Sequence, residues 1–358
     1  MRLFVIGYPG EIGGANTEAW HTIKLWRRFG VDVHLIPTWG ADERWRARLD
    51  ALGCTTHATR PEELESVPGL AGTPVVGFCN AEFMVHAHQF RKLGCPIVWV
   101  NCMTFLFDHE KRFFAEHGPA DAFVYQSDFQ RREIEPQLAP FGYQPASGHL
   151  IHGAFDLDEW EFHPRPHAKG EVFVVGRVAR PDQDKWSSNT WPIYGRIQYA
   201  HKRAFMLGMD ERTHQKLGPP PAWADCLKPM AMPVRDYFRQ LHCTLPINGG
   251  ARENWPQAGL EAMAAGVPIV AQNLWGWPEM IEHGVTGFLG DCDEELAHYT
   301  AVLAYDEDLR MGIAHAARQR LASDLANPET IWAGWKNLFS AVFGNWQEES
   351  QQPRREAA

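Results

Sequence analysis

Residues 252–268 read Arg252-Glu253-Asn254-Trp255-Pro256-Gln257-Ala258-Gly259-Leu260-Glu261-Ala262-Met263-Ala264-Ala265-Gly266-Val267-Pro268 and place two glutamates eight positions apart. Pro256 suits the first turn of a helix, where its missing N–H would have no partner. Gly266 followed by Pro268 ends that helix, and the apolar residues after it predict a buried strand. Glu253 is therefore expected on the loop that enters the helix, and Glu261 within the helix.

The two carboxylates are expected to act at separate points. A helix rises about 1.5 Å per residue, so the carboxylates are several Å apart and cannot share a proton. Carboxylates accept paired hydrogen bonds from neighbouring hydroxyls. We therefore expect them to hold two ends of one elongated polyhydroxylated ligand, with a ribose at one end and a hexose at the other.

Residues 252–289 resemble the Glu-x7-Glu region of retaining GT-B glycosyltransferases, in particular family 4 (glycosyl transferases group 1). The resemblance includes the run from Leu260 to Pro268 and two later segments, 275–281 and 284–289. Two exposed glutamates on an amphipathic helix would mean little without these surrounding residues. The resemblance implies an α/β fold of the GT-B type, in which two Rossmann-like domains with parallel sheets face each other across a cleft.

Strand and helix signals alternate from the first residue, which is typical of α/β folds with parallel sheets. Strands are predicted at 3–7, 31–36, 74–78, 97–100 and 122–125, and then at 171–175, 203–208 and 244–247. We predict an acceptor-side domain over residues 1–162, a linker at 163–170 and a nucleotide-sugar donor domain over 171–328. The resemblance suggests that a helix at 329–346 crosses back to the first domain, and residues 347–358 are expected to be disordered.

Composition excludes several classes of protein. The formal net charge of −10 argues against a large nucleic-acid surface and against strong attraction to anionic lipid. Seven scattered cysteines without Cys-x-x-Cys indicate reduced thiols in a cytoplasmic protein rather than disulfides or a zinc site. No apolar run reaches the roughly 18 residues that a membrane span needs, and the first apolar run is too short for a signal peptide.

A glycine-rich turn follows the first predicted strand, with Gly7, Gly10, Gly13 and Gly14. Free N–H groups at a helix start bind phosphate, so one interpretation is the family 4 Gly-Gly loop that faces the donor. Another is a dinucleotide fingerprint, which needs an acid at the end of the second strand. That strand ends without one, since Asp32 lies at its start, and this counts against NAD. A purely structural turn is the third interpretation.

A second loop, residues 175–185, is similar to the family loop whose Arg and Lys neutralise the leaving diphosphate. Breaking the anomeric C–O bond adds negative charge to the β-phosphate, which fixed cations stabilise. The resemblance assigns this role to Arg177 and Lys185. The loop is longer than in the family and Trp186 replaces its glycine, so Arg180 is an alternative to Arg177. An ordinary solvated loop is the other interpretation.

The resemblance also implies the remaining roles. Glu261 would hold the ribose and Glu253 the 3- or 4-hydroxyl of the sugar. Pro256 stands where the family has a glycine N–H. The N–H groups of Asn254, Trp255 and Gln257 are expected to replace that contact, and the Asn254 and Gln257 side chains to add to it. The predicted catalytic residues are Glu253, Arg177 and Lys185, and the predicted donor-binding residues are Gly13, Gly14, Arg180, Asn254, Trp255, Gln257 and Glu261.

The acceptor side departs from the family, which often carries a histidine after the strand at 97–100. Asn101 stands there, so either Asn101 bonds the sugar or this part of the site has been rebuilt. Asp108 and His109, with Glu110, follow on the next loop. They are either acceptor contacts or a helix-capping cluster.

The resemblance implies a hexosyltransferase that retains anomeric configuration by a front-face mechanism, without metal or cofactor. A nucleotide-diphosphate sugar, with UDP or GDP favoured, would be the co-substrate. The acceptor hydroxyl could belong to a glycan, to a small molecule or, disfavoured by the acidic charge, to a modified nucleic-acid base. The alternatives are a scaffold that binds nucleotide sugars without turnover and an NAD-dependent oxidoreductase.

Overall fold

The computed structural model of the protein describes residues 1–7, 9–10, 13–38 and 42–343. The strands in this part of the chain are β1 Arg2–Ile6, β2 Asp32–Ile36, β3 Thr55–Thr56, β4 Val75–Phe78, β5 Ile97–Val100, β6 Ala122–Tyr125, β7 Gly148–Leu150, β8 Phe173–Val178, β9 Lys202–Leu207, β10 Ala224–Leu227, β11 Cys243–Thr244, β12 Val270–Gln272 and β13 Phe288–Gly290.

The α-helices of the same residues alternate with the strands. They are α1 Gly14–Arg28, α2 Glu43–Ala51, α3 Ala81–Lys92, α4 Asp108–His117, α5 Asp128–Leu138, α6 Thr190–Arg196, α7 Glu211–Leu217, α8 Val234–Phe238, α9 Gln257–Ala265, α10 Trp277–Met280, α11 Asp293–Tyr305, α12 Glu307–Arg320 and α13 Pro328–Phe343. None of the described helices is long and apolar enough to cross a membrane.

The first sheet has seven parallel strands in the order β3-β2-β1-β4-β5-β6-β7. Separate clusters of buried apolar side chains cover its two faces. Parallel strands need crossover connections and buried faces, which explains why their sequences are nearly continuous apolar runs. The carboxyl ends of the strands consequently meet at one edge.

The second sheet repeats this arrangement. Its four parallel strands run β10-β9-β8-β11, and a bridge between Thr244 and Ile269 extends them to the β12–β13 pair. The strand order is therefore the same as that of the first six strands of the first sheet. In such doubly wound sheets, ligands bind outside the carboxyl ends of the strands.

The predicted strands form, with bounds that shift by at most three residues, whereas β3, β7 and β10 were not predicted. The residue that precedes α1 is Gly13, with φ 111°. Only glycine adopts this conformation without strain, so a glycine rather than a polar side chain marks the start of this helix.

The last helix, α13, packs against the first sheet rather than the second. Its Trp335 lies edge-on to Trp26 of α1, with ring centroids 4.8 Å apart, and Trp332 stacks on Phe29 at 5.0 Å. The core beneath the first sheet therefore includes residues from both ends of the described chain. The tail predicted at 347–358, and residues 344–346 of the predicted helix, lie outside the described residues.

Candidate active site

The loop before α9 carries Glu253 into the cleft between the two sheets. Glu253 Oε1 lies 2.8 Å from Lys185 Nζ, and both side chains are largely buried. The backbone carbonyl of Glu253 also accepts a hydrogen bond from Gly276 N at 2.8 Å. A Cβ on Gly276 would lie 1.7 Å from the Asn254 carbonyl oxygen, so only glycine fits there. This close approach fixes the position of the Glu253 loop.

Arg177, at the end of β8, lies beneath the loop that carries Lys185. It is only 2% exposed, donates to the Lys185 carbonyl and to Asn248 Oδ1 (2.8 Å), and lies 4.9 Å from the Trp186 ring centroid. Its Nε and Nη1 atoms have no hydrogen-bond partner among the described residues. Burial lowers the pKa of this guanidinium to about 10. Trp186, which replaces the family glycine, is thus a cation–π partner of Arg177.

Arg180 lies on the same loop but faces the first domain. It is about half exposed and pairs with Asp182 at 3.0 Å. A Cβ on Gly13 would lie 3.8 Å from Arg180 Cδ, and one on Gly14 would lie 3.6 Å from Gln257 Cγ. The two loops predicted to face phosphate therefore lie opposite each other across the cleft.

Glu261 lies in α9, two turns beyond Glu253. It is half-buried, and no hydrogen bond or ion pair to this carboxyl occurs within the described residues. Burial raises the pKa of Glu261 to about 8, partly opposed by the positive charge of Arg235. An acceptor group without a partner in a partly buried place is available to ligand hydroxyls.

The side chains of the other residues in this segment turn towards the first domain. Asn254 Nδ2 donates to Gln126 Oε1 at 2.6 Å. Trp255 stacks on His152, with ring centroids 4.1 Å apart and planes within 3°. Gln257 is buried, and neither atom of its amide has a partner among the described residues. The Asn254 amide is thus committed to a contact between domains, whereas the Gln257 amide is not.

On the acceptor side, Asn101 is fully buried at the end of β5. Its Oδ1 accepts from Met103 N at 2.7 Å, and its Nδ2 has no partner in the described part of the chain. Asp108 and His109 begin α4, where His109 stacks on Phe107. The described contacts bring neither of them to Glu253 or Lys185.

Of the two interpretations of Asp108, His109 and Glu110, the structure supports helix capping for Glu110. Its carboxylate accepts from Phe107 N (2.6 Å) and from Trp99 Nε1 (2.7 Å), so it caps α4 from inside the core. Burial raises the pKa of Glu110 to about 7. Ser127 caps α5 in a similar way, accepting from Gln130 N at 3.1 Å.

Two carboxylates near the cleft were not predicted from the sequence. Glu279 accepts hydrogen bonds from Asp128 N (2.8 Å) and Phe129 N (2.7 Å), the first residues of α5 in the other domain. Glu18 of α1 is 2% exposed. The burial of Glu18 could have been predicted from helical spacing, because it shares the buried face of α1 with Thr22 and Leu25, four and seven positions later.

One group of described side chains has metal-ligand spacing, formed by His21, Asp156 and Glu159, whose ligand atoms lie within 4.8 Å of one another. Lys24 Nζ already lies 2.6 Å from both carboxylates, so an ammonium group supplies the positive charge. His21 Nδ1 also accepts from Asp156 N at 3.1 Å. These contacts join α1 to the segment that leaves the first sheet.

Sequence comparison identifies the segment around α9. Residues 234–320, which contain both Glu253 and Glu261, match the family described as glycosyl transferases group 1. A stretch of 94 residues is 36% identical to N-acetyl-alpha-D-glucosaminyl L-malate synthase of Bacillus anthracis, covering 26% of this chain and 24% of that protein. A stretch of 95 residues is 28% identical to the capsular polysaccharide biosynthesis glycosyltransferase CapM of Staphylococcus aureus, with the same coverage. The match thus spans about a quarter of the length of these curated relatives.

Solved structures resemble nearly the whole chain. Anabaena HepE in complex with UDP-glucose superposes with a TM-score of 0.70 at 17% identity, covering 96% of this chain and 99% of that chain. TarM of Staphylococcus aureus, in a complex that includes UDP, gives 0.73 at 10% identity, covering 94% and 99%. Sucrose-phosphate synthase of Thermosynechococcus elongatus gives 0.68 at 15% identity, covering 96% and 99%. At these identities the likeness shows the fold, and the predicted GT-B fold is confirmed.

Proposed function

We propose that this GT-B chain, whose residues 234–320 match the group 1 glycosyl transferases, transfers a sugar from a nucleoside diphosphate to an acceptor hydroxyl. The observation that carries the proposal is the arrangement around the cleft. The Glu253–Lys185 pair lies at the carboxyl edge of the second sheet, and the Gly13–Gly14 turn faces Arg180 and Gln257 from the first domain.

The donor would lie mostly on the second domain. Glu261, which has no partner among the described side chains, would accept the ribose hydroxyls. Glu253 lies on the loop that enters the same helix and would hold the 3- or 4-hydroxyl of the sugar. Glu253 precedes α9 and Glu261 lies more than one turn into it, so the two carboxylates would hold different ends of the ligand, the hexose and the ribose.

The diphosphate would lie between the two glycine-containing loops. Lys185 and Arg180 carry charges that reach the cleft, whereas Arg177 is buried and braces the loop through the Lys185 carbonyl. We assign direct contact with the diphosphate to Lys185 and Arg180, and support of the loop to Arg177. N–H groups at the start of α1 would add donors.

Transfer with retention requires the acceptor to attack the face from which the phosphate leaves, or a covalent intermediate. The carboxylate of Glu253 is engaged with Lys185, so we propose the first route. The anomeric C–O bond breaks and its electron pair passes to the β-phosphate oxygen, where Lys185 and Arg180 stabilise it. The acceptor oxygen bonds to the anomeric carbon, and its proton moves to the departing phosphate.

UDP-glucose is the first donor to test, because HepE was solved with it, and a GDP-sugar is the second. The acceptors to test are hydroxyls of glycans and of small molecules. The names of the two curated relatives suggest a hydroxy acid such as malate and a polysaccharide precursor. The substrate of a relative is a starting point for the screen, since the shared stretch covers about a quarter of each chain.

A melting screen of the purified protein against UDP, GDP, ADP, dTDP and NAD tests the donor site. A ligand at 100 times its Kd stabilises the native state by about 2.7 kcal/mol, which raises Tm measurably. We expect UDP to raise Tm. A shift with NAD alone would contradict the proposal, and no shift with any nucleotide would leave the donor site without support.

Turnover then separates an enzyme from a binding scaffold. UDP release from UDP-glucose is measured with each acceptor and with water alone. Release that depends on an acceptor supports the transferase. Tight binding with no release for any acceptor favours the scaffold, for which Asn101 in place of the family histidine is the relevant observation. Retention is read from the anomeric proton coupling of the product.

A further inference from the structure

Three polar side chains from both domains converge on Gly153, which lies between β7 and the second domain. A Cβ on Gly153 would lie 3.3 Å from the carboxyl carbon of Glu18, 3.3 Å from Trp255 Cδ1 and 3.4 Å from Gln257 Nε2. Glu18 belongs to α1, whereas Trp255 and Gln257 belong to the segment that opens α9. A side chain at Gly153 would therefore crowd the point on which these three side chains converge.

Each of these side chains is buried and has unused hydrogen-bonding capacity. Glu18, Trp255 and Gln257 are 2%, 3% and 9% exposed. Within the described residues, Trp255 Nε1 and both amide atoms of Gln257 have no partner. The one described bond to the Glu18 carboxyl is a weak one from the Cys102 thiol, at 3.7 Å. Unpaired buried polar groups each cost free energy, so two such side chains beside a weakly bonded carboxyl indicate a polar occupant.

The cluster is expected to be uncharged near neutral pH. Burial raises the pKa of the Glu18 carboxyl to about 8, and a hydrogen bond with Cys79, together with desolvation, raises the pKa of the neighbouring Cys102 thiol. A protonated carboxyl both donates and accepts. Together with one indole donor and one amide, the cluster offers donors and acceptors without net charge, which suits a hydroxyl group and disfavours a phosphate or an ammonium.

We infer that Glu18, Gln257 and the Trp255 indole N–H form a subsite for a sugar hydroxyl on the first-domain side of the cleft. This inference rests on the proposed function and adds to it a residue of α1 and the Gly153 space. Gln257 also lies beside Gly14, so the subsite adjoins the turn that faces the donor. Glu18 belongs to the first domain, whereas Trp255 and Gln257 belong to the second. The subsite is therefore complete only when the two domains are closed.

The hydroxyl could come from the transferred sugar or from the acceptor, and binding measurements separate the two. Calorimetry measures the affinity of each variant for UDP and for UDP-glucose. If the melting screen identifies another base, the nucleoside diphosphate and the nucleotide sugar with that base are used instead. If the hydroxyl belongs to the transferred sugar, Glu18→Leu and Gln257→Leu weaken UDP-glucose binding at least tenfold and leave UDP binding within threefold. If it belongs to the acceptor, both affinities stay unchanged and KM for the acceptor rises at least tenfold.

Two further variants separate recognition from folding. Glu18→Gln keeps a donor and an acceptor, so it should restore affinity to within threefold of the original. Gly153→Ala should weaken binding by filling the space, since its Cβ contacts would be tight. Gly195→Ala in α6 is the matched control, because its Cβ would meet nothing within 4 Å. Melting curves confirm that each variant is folded.

Unchanged affinity and unchanged acceptor KM in the folded Glu18→Leu and Gln257→Leu variants would overturn the subsite, leaving an ordered water as the occupant. Equal loss of UDP and UDP-glucose affinity would also overturn it, because the cleft as a whole would then have changed. Failure of the original protein to bind any nucleotide or nucleotide sugar would remove the proposed function together with this subsite. Failure of the subsite and failure of the proposed function therefore give different results.

Discussion

Lys185 and Glu253 form an ion pair 2.8 Å long in the cleft, although the proposed mechanism gives each of them a different part of the donor. The pair fixes the positions of both side chains and keeps them partly desolvated. Less water therefore has to be removed from either charged group when a substrate binds. A mutation that removes one partner also leaves the other charge without compensation. Conservative variants are therefore the most informative ones.

Glu253→Gln should lower the transfer rate at least about 100-fold, because loss of a charge-assisted contact made in the transition state is worth about 2.7 kcal/mol. UDP affinity should stay within about threefold, since the proposed donor site places the sugar and not the nucleotide against Glu253. Calorimetry with UDP and steady-state kinetics with UDP-glucose check both statements. Equal loss of UDP affinity in Glu253→Gln and Glu261→Gln would contradict the assigned roles.

Glu261 predicts a pH dependence of nucleotide binding. Its pKa is raised to about 8. In the proposed donor site, ribose hydroxyls donate to the ionised form, so binding should lower this pKa and release a proton. UDP affinity should therefore increase as pH rises from 6.5 to 8 and level off above 8. Glu261→Gln should abolish this part of the pH dependence and leave only the ionisation of the phosphate, near pH 6. An identical profile in the variant would contradict the role of Glu261.

At the scale of secondary-structure elements, helix α5 receives two caps. Ser127 of the first domain accepts from Gln130 N, and Glu279 of the second domain accepts from Asp128 N and Phe129 N. A carboxylate at a helix N-terminus satisfies free N–H groups and interacts favourably with the helix dipole. The Glu279 cap therefore holds one domain to the other through the end of a helix.

Glu279→Ala should favour the open form of the protein. We expect small-angle scattering to show a larger radius of gyration, and we expect a higher KM for the donor with a smaller change in kcat. Ser127→Ala is the matched control, because it removes about 1 kcal/mol of capping from the same helix without touching the second domain. An equal increase in radius for both variants would contradict the proposed role of Glu279.

The elements differ in how far their sequences predict them. Helix α9 was predicted because Pro256 and Gly266 mark its ends, and Gly266 does adopt the left-handed conformation with φ 84°. The start of α1 was not predicted, because a glycine cap leaves no side-chain signal in the sequence. The Glu279 cap and the Gly153 cluster join residues far apart in the chain. Single-sequence patterns carry local periodicity and turn chemistry, and these contacts depend on how the two domains pack.

At the scale of the whole molecule, the chain forms two doubly wound domains whose carboxyl edges face each other, and α13 returns to complete the first. The repeating strand-helix pattern predicted the parallel sheets, whereas the two-domain arrangement and the return of the last helix were implied by the family resemblance. The width of the cleft and the pairing of Asn254 with Gln126 across it could not be predicted, because neither leaves a periodic signal. In the proposed function, specificity for the base, the sugar and the acceptor depends on such contacts.

Trp335→Ala in α13 should destabilise the first domain rather than the second. Trp335 is buried against Trp26, and removal of a buried tryptophan costs about 3–5 kcal/mol. Hydrogen exchange should accelerate in β1 and α1 much more than in β8 and β9. Tyr305→Ala, which removes a 60% exposed ring from α11, is the control and should change neither. Equal acceleration in both sheets would contradict the placement of α13 in the first core.

The position of α13 has a consequence for biosynthesis. Strand β7 ends at Leu150, whereas α13 begins at Pro328. At the usual 5–20 residues per second, a ribosome needs roughly 10–35 s to make the chain between them. During this interval the nascent first domain exposes the apolar face that Trp335 and Phe339 later cover. The second domain is thus synthesised while the first domain still lacks its last helix. A chaperone that shields this apolar face would act on the ribosome-bound chain.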